Sequence, residues 1–178
     1  MFSCSRTWFA VALLAAGFLA PSPASAQLAS GQKNFGAHVG LSGVGSAPTL
    51  GVSGEVAYSD RISVGAWADT WSYGESYAIG TGSYRWDVRY VALAGNSAYH
   101  FPIEDHPKLD PFVGVSLGYF VVSTQGSGTG GIAYAGDSSR MFVGGFGGVR
   151  YAFRERLSGV ARLGFGASHL TLGVDYRL

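Results

Sequence analysis

Ser168 and His169 stand side by side near the end of the chain, the residue types that a nucleophile and its general base require. Their spacing works against that chemistry. Adjacent residues of a strand point to opposite faces, so hydroxyl and imidazole meet only where a turn bends the backbone. A second set, His100, Glu104, Asp105, His106 and Asp110, gathers metal-ligating side chains around one segment. It has no fixed ligand spacing, so the expected reading is a solvated acidic turn, with no metal. The glycine-rich run Gly126 to Gly131 lacks the G-K-[ST] ending of a phosphate loop and is expected to be a flexible surface loop. Four further charged residues, Glu55, Arg150, Asp175 and Arg177, acquire meaning only once the elements that carry them are placed.

The chain opens with Arg6, an apolar run from Trp8 to Ala20, then Pro21, Pro23 and the small residues Ala24, Ser25 and Ala26. That order is a secretory signal peptide with cleavage expected after Ala26. The 13-residue run is short of the roughly 20 residues of a spanning helix. Residues 1–26 are thus a signal and 27–178 a single domain. The only cysteine, Cys4, leaves with the signal and precedes the apolar run, so it offers no lipid anchor. Arg6 leaves too, and eleven basic residues then balance eleven acidic ones. Nucleic acid is excluded as a partner, because no basic footprint remains.

The 28 glycines, 14% aromatic residues and only 13% charged residues depart from a water-facing surface, where about 25% would be charged. No later segment offers about 18 consecutive apolar residues, so a membrane would be crossed by strands. From Phe35 onward the chain alternates with period two. Eight strands are expected: Phe35 to Leu41, Leu50 to Tyr58, Ile62 to Trp71, Tyr84 to Phe101, Phe112 to Val122, Met141 to Phe153, Leu157 to Phe165 and Leu170 to Leu178. In the third, Trp67 and Trp71 fall out of phase with Ile62, Val64 and Ala66, which a bulge would explain. In the fourth, Tyr84, Trp86, Val88 and Tyr90 alternate against Arg85, Asp87 and Arg89 before the phase is lost.

The expected architecture is all-β, an eight-stranded antiparallel up-and-down transmembrane barrel. Turns at Ser59 to Arg61, Pro102 to Asp110 and Arg154 to Arg156 would lie on the side of the termini. Loops at Ser42 to Thr49, Ser72 to Ser83, Ser123 to Arg140 and Gly166 to His169 would lie outside. Aromatic residues fall near strand ends, as two interfacial girdles require. Tyr58, Tyr99, Phe101, Phe112, Tyr151, Phe153 and Tyr176 mark the inner end. Trp67, Trp71, Tyr84, Trp86, Tyr119, Phe120 and Phe165 mark the outer one.

The segments RYVALAGNSAYHFP, LDPFVGVSLGYF, MFVGGFGGVRYAF and LTLGVDYRL resemble the outer-membrane β-barrel superfamily that includes the OmpA membrane domain and OmpX-like barrels. The resemblance is one of pattern over Phe35 to Leu178. It implies an outer-membrane location, with membrane lipid, lipopolysaccharide and the outer-membrane assembly machinery as partners, and no cofactor. Such barrels usually end in an aromatic residue, whereas Leu178 is last here and Tyr176 precedes it. No periplasmic domain is expected beyond Leu178. Some small barrels are lipid A acylation or deacylation enzymes, but the deacylase signature His-x-Ser-Asn is absent, so no catalysis is expected.

Within that barrel the alternation turns Glu55, Arg150, Asp175 and Arg177 inward near the inner end. A charge network there would close the lumen and fix strand register. The alternative is a narrow channel gated by rearrangement around Arg150, since an eight-stranded barrel is just wide enough for its own side chains. Tyr73, Tyr77, Ile79, Ile132 and Tyr134 in the longer outer loops would meet any surface ligand. A structural or surface-interaction role is therefore expected ahead of solute transport.

Overall fold

The computed structural model describes residues 25–42, 47–79, 82–128 and 133–178. Most of the expected signal, residues 1–24, lies outside them, as does Ile132. Eight strands follow in order: β1 (Lys33–Ser42), β2 (Pro48–Ala57), β3 (Ile62–Ile79), β4 (Gly82–His100), β5 (Leu109–Gly128), β6 (Ala133–Arg154), β7 (Leu157–Phe165) and β8 (Ser168–Arg177). Each pairs antiparallel with its sequence neighbours, and β1 pairs with β8, so the sheet closes. Closure leaves no edge along the body of the barrel, which is how a sheet satisfies its backbone in an apolar medium.

Alternation sorts the side chains as the period-two pattern requires. Val113, Val115, Leu117, Tyr119 and Val121 of β5 all face outward and are exposed, a nine-residue band that matches the about 9–11 residues of a spanning strand. Phe35, Val39 and Leu41 on β1, Met141 and Val143 on β6 and Leu163 and Phe165 on β7 continue it around the circumference. Tyr58, Tyr99, Phe101, Tyr151 and Tyr176 ring the end that holds both described termini, all outward and exposed. Phe153 is half-buried, its ring lying over the position where Gly159 lacks a side chain.

Three expectations are corrected. No bulge interrupts β3: its register with β2 and β4 runs unbroken, and Trp67 and Trp71 point into the lumen. Phe112 and Phe120 are likewise inward and buried, so none of these four belongs to a girdle. The segments expected as loops at 72–83 and 123–140 are largely strand, since β3 and β4 stay paired to Ile79↔Gly82 and β5 and β6 to Ser127↔Ala133. Gly126 to Gly128 accordingly belong to β5, and Tyr73, Tyr77, Ile79 and Tyr134 lie on strands.

The cause is an inversion of polarity along strands that keep their period. Up to Val91 and Val121 the outward face is apolar; beyond them it carries Ser72, Arg85, Asp87, Arg89, Ser123 and Gln125. The inner face turns aromatic over the same stretch, with Trp71, Tyr73, Val88 and Tyr90 packed together. Past the apolar band water wets the outer face, so apolar residues stabilise the sheet only from within. Trp86 belongs to this inner face, half-exposed and above the band.

Candidate functional site

The lumen floor is built from four strands. Glu55 on β2, Asp110 on β5, Arg150 on β6 and Asp175 on β8 share the inward parity and converge from around the ring. Arg150 is 2% exposed. Its Nη2 donates to Glu55 Oε2 at 3.0 Å and to Asp175 Oδ2 at 3.0 Å, its Nε to the same Asp175 oxygen at 3.1 Å, and its Nη1 to Asp110 Oδ2 at 3.2 Å. A planar fork of five N–H donors is the side chain that can serve three carboxylates at once. The ring of Phe112 packs beneath its guanidinium, 5.8 Å from carbon to centroid.

Arg177 does not join this knot. Its Nη2 donates to the Ser25 carbonyl at 2.7 Å, a tie across the mouth of the barrel that lasts only while the expected signal, which includes Ser25, is attached. Gln27 extends that tie by donating to the Ile103 carbonyl at 2.8 Å. Two residues expected on a solvated turn belong to the knot instead. His100 and Asp110 are each 1% exposed, with His100 Nδ1 at 2.8 Å from Asp110 Oδ2 and its Nε2 at 3.0 Å from Ser63 Oγ. Glu104, Asp105 and His106 do lie exposed on the turn. Among the described residues no group of three metal-ligating side chains comes together.

Midway up the lumen, Asp69 of β3 accepts from Ser168 Oγ at 3.1 Å and contacts His38 Nε2 at 2.5 Å through its other oxygen. Hydroxyl and imidazole therefore converge on a carboxylate and not on each other, the geometry of a cross-lumen tie. His169 points the other way and is exposed. A cavity of about 50 Å³ lies beside this tie, lined by Ser116, Arg162 and Thr171 among others. That is room for one or two waters at roughly 30 Å³ each. Arg162 stacks 5.7 Å from the rings of both Phe112 and Phe146, and its Nε has no partner among the described residues.

At the outer rim an aromatic layer crosses the barrel. Trp71 stacks on Tyr90 at 4.9 Å and meets Phe120 edge-on at 5.9 Å, while Phe120 stacks on Phe142 at 4.3 Å. Ala47 and Ala167, from the connections on the opposite wall, pack against it. The lumen is thus crossed twice, by ion pairs below and by rings above.

Among the described residues only β3, β4, β5 and β6 continue beyond the rim, as a four-stranded sheet. Pairing with β2 stops at Thr70 of β3 and pairing with β7 stops at Gly145 of β6. Residues 71–79 and 133–144 therefore form open edges among the described residues. On the outward face Arg85 is held by Asp87 at 2.9 Å, whereas Arg89 makes no ion pair or hydrogen bond with any described residue.

The closed, eight-stranded antiparallel barrel with alternating faces is the fold of the small outer-membrane barrels. The N-terminal β-barrel domain of Pseudomonas aeruginosa OprF superposes with a TM-score of 0.61 at 16% identity, covering 85% of this chain and 100% of that one. Neisserial surface protein A gives 0.53 at 16% identity, with 83% and 95% covered. Ail, the attachment invasion locus protein of Yersinia pestis, solved with the heparin analogue sucrose octasulfate, gives 0.53 at 9% identity, with 83% and 95% covered. No family model and no curated protein sequence matches the chain. Likeness at these identities establishes the fold; function has to be argued from the sites grafted on it.

Proposed function

We propose that the protein is an exported outer-membrane barrel that is closed to solutes and acts at the cell surface through its projecting four-stranded sheet. The observation that carries this reading is the continuation of β3 to β6 past the apolar band while β1, β2, β7 and β8 stop at the rim. A sheet raised into water, with no further strand beside it among the described residues, offers backbone donors and acceptors to a partner strand. Its rigid base is the barrel, whose apolar exterior supplies the membrane anchor. Ail, a barrel of the same fold, was solved in complex with the heparin analogue sucrose octasulfate, so a barrel of this fold can take a ligand.

The test is an epitope inserted between Ile79 and Gly82, probed by antibody on intact cells. Labelling without permeabilisation is expected, together with a mobility shift between unheated and boiled samples in SDS. Labelling only after permeabilisation would refute the surface assignment, and a soluble, unshifted protein would refute the membrane one. A narrow conduit remains the second reading, favoured by one observation: three carboxylates share Arg150, so its pairs can exchange without leaving the cation bare. Steady single-channel conductance of the unmodified protein would put that reading first.

A further inference from the structure

On the outward face of β3, β4 and β5, two depressions lie one above the other. The lower is an apolar groove of about 610 Å³ whose lining includes Ala66, Ala68, Leu93, Gly95, Leu117 and Tyr119. It exists because small residues stand where the surrounding band carries large ones; a Cβ at Gly95 would meet only the Gly65 carbonyl oxygen, at 3.9 Å. The upper is a polar pocket of about 670 Å³ formed around Arg89 by Ser72, Ser123, Gln125, Arg85 and Asp87. A single row, Thr70, Val91 and Val121, separates the two. From Leu93 to Arg89 is four residues, about 13 Å at the ~3.3 Å rise of a strand.

From this stacking we infer that the β3–β4–β5 face is a binding site for a phosphorylated outer-leaflet lipid, with an acyl chain in the lower groove and a phosphate on Arg89. The site rests on the membrane reading above. Three features select this ligand class. Arg89 is the first charge above the apolar band, the level at which a lipid carries its headgroup. Its guanidinium is left over after Asp87 has taken Arg85, and hydroxyl and amide groups of Ser72, Ser123 and Gln125 line the same pocket. A guanidinium fork binds phosphate through two parallel hydrogen bonds. A soluble polyanion would need several free cations, whereas among the described residues this face offers one, with Asp137 in the same cross-strand row. The groove below gives an amphiphile a second point of attachment that a soluble anion lacks.

The test uses the purified full chain in a neutral detergent, with bound lipid counted by native mass spectrometry. The probes are diphosphoryl lipid A, the same lipid after enzymatic dephosphorylation, and sucrose octasulfate. One retained diphosphoryl lipid is expected, with about tenfold weaker retention of the dephosphorylated form. Arg89→Ala is expected to lower retention about tenfold, and Arg89→Lys to restore part of it. Gly95→Leu, which fills the groove from open space, is expected to lower it several-fold while the heat-dependent mobility shift stays unchanged. Equal retention of the two lipids, or an Arg89→Ala variant that binds as the parent does, overturns the proposal. So does Arg89-dependent binding of sucrose octasulfate with lipid retention untouched, which would make the pocket a receptor for soluble polyanions. Absence of the mobility shift in the parent chain overturns the membrane reading itself, a result distinct from loss of the lipid alone.

Discussion

Replacing Arg150 by alanine removes the one cation that Glu55, Asp110 and Asp175 share, all at hydrogen-bond distances of 3.0 to 3.2 Å. Breaking a single buried ion pair by deleting one partner costs about 3–5 kcal/mol, because the remaining charge stays desolvated. Here Glu55 and Asp175 lose their shared cation together and Asp110 is left with His100 alone, so the loss should lie toward the upper end, about 5 kcal/mol. Against a typical total of about 5–15 kcal/mol, that is enough to leave much of the protein unfolded. Arg150→Lys keeps the charge but loses the fork, and should fall between parent and alanine variant. The fourfold variant Arg150→Met, Glu55→Gln, Asp110→Asn, Asp175→Asn removes the charges together and should recover most of the stability. Urea unfolding of barrels refolded into lipid vesicles, followed by tryptophan emission and by gel mobility, measures all three. An Arg150→Ala barrel within about 1 kcal/mol of the parent that also conducts ions would refute the structural account of the knot and make it a gate.

Three further outcomes follow from the same geometry. Trp71→Ala should cost about 3–5 kcal/mol for the lost ring yet leave planar bilayers electrically silent, because the ion-paired floor still closes the lumen; a conducting Trp71→Ala barrel would show that the floor is open. Ser168→Ala should cost only about 1–2 kcal/mol and neither it nor His169→Ala should alter the lipid A mass profile of the expressing cells, since the hydroxyl donates to Asp69 and lies on the other face from His169. Gly51→Ala should be destabilising by about 1–3 kcal/mol, because its Cβ would enter the space of Asp69 Oδ1 and His38 Nε2, while Gly54→Ala, which meets nothing within 4 Å, should be neutral in the same denaturation assay.

Much of this architecture could be read from alternation alone. The span of β7, Leu157–Phe165, is the one the sequence implies, and the outward parity of Val113 to Val121 is already plain in the order of residues. Where the structure departs from those expectations, the physical reason is that parity, and not position along the strand, decides which face a side chain takes. Phe112 stands one residue out of phase with outward Val113, and so belongs inside whatever its place along the strand. Trp67 and Trp71 share parity with inward Ser63, and the apparent change of phase in β4 is a change of solvent along an unbroken strand. Asp110 shares the inward parity of Phe112 two residues on, but a strand taken to begin at Phe112 leaves it on the turn with Glu104 and Asp105. Its partnership with Arg150 joins residues 40 positions apart on consecutive strands, a contact that the register of β5 with β6 reveals.

The β1/β8 seam also governs the order in which the molecule can be assembled. Every other seam joins strands adjacent in sequence and can form as a hairpin, whereas this one pairs Ser42 with Ser168, 126 positions away, and Asn34 with Arg177. The entropy of so long a loop must be met before any of its hydrogen bonds form. Glu55 and Asp175 lie on β2 and β8, on either side of that seam, so Arg150 can hold both only when the ring is shut. The knot therefore works as a latch: an unclosed intermediate leaves these ions hydrated and separate, and the step that completes the circle is the same step that lets them pair.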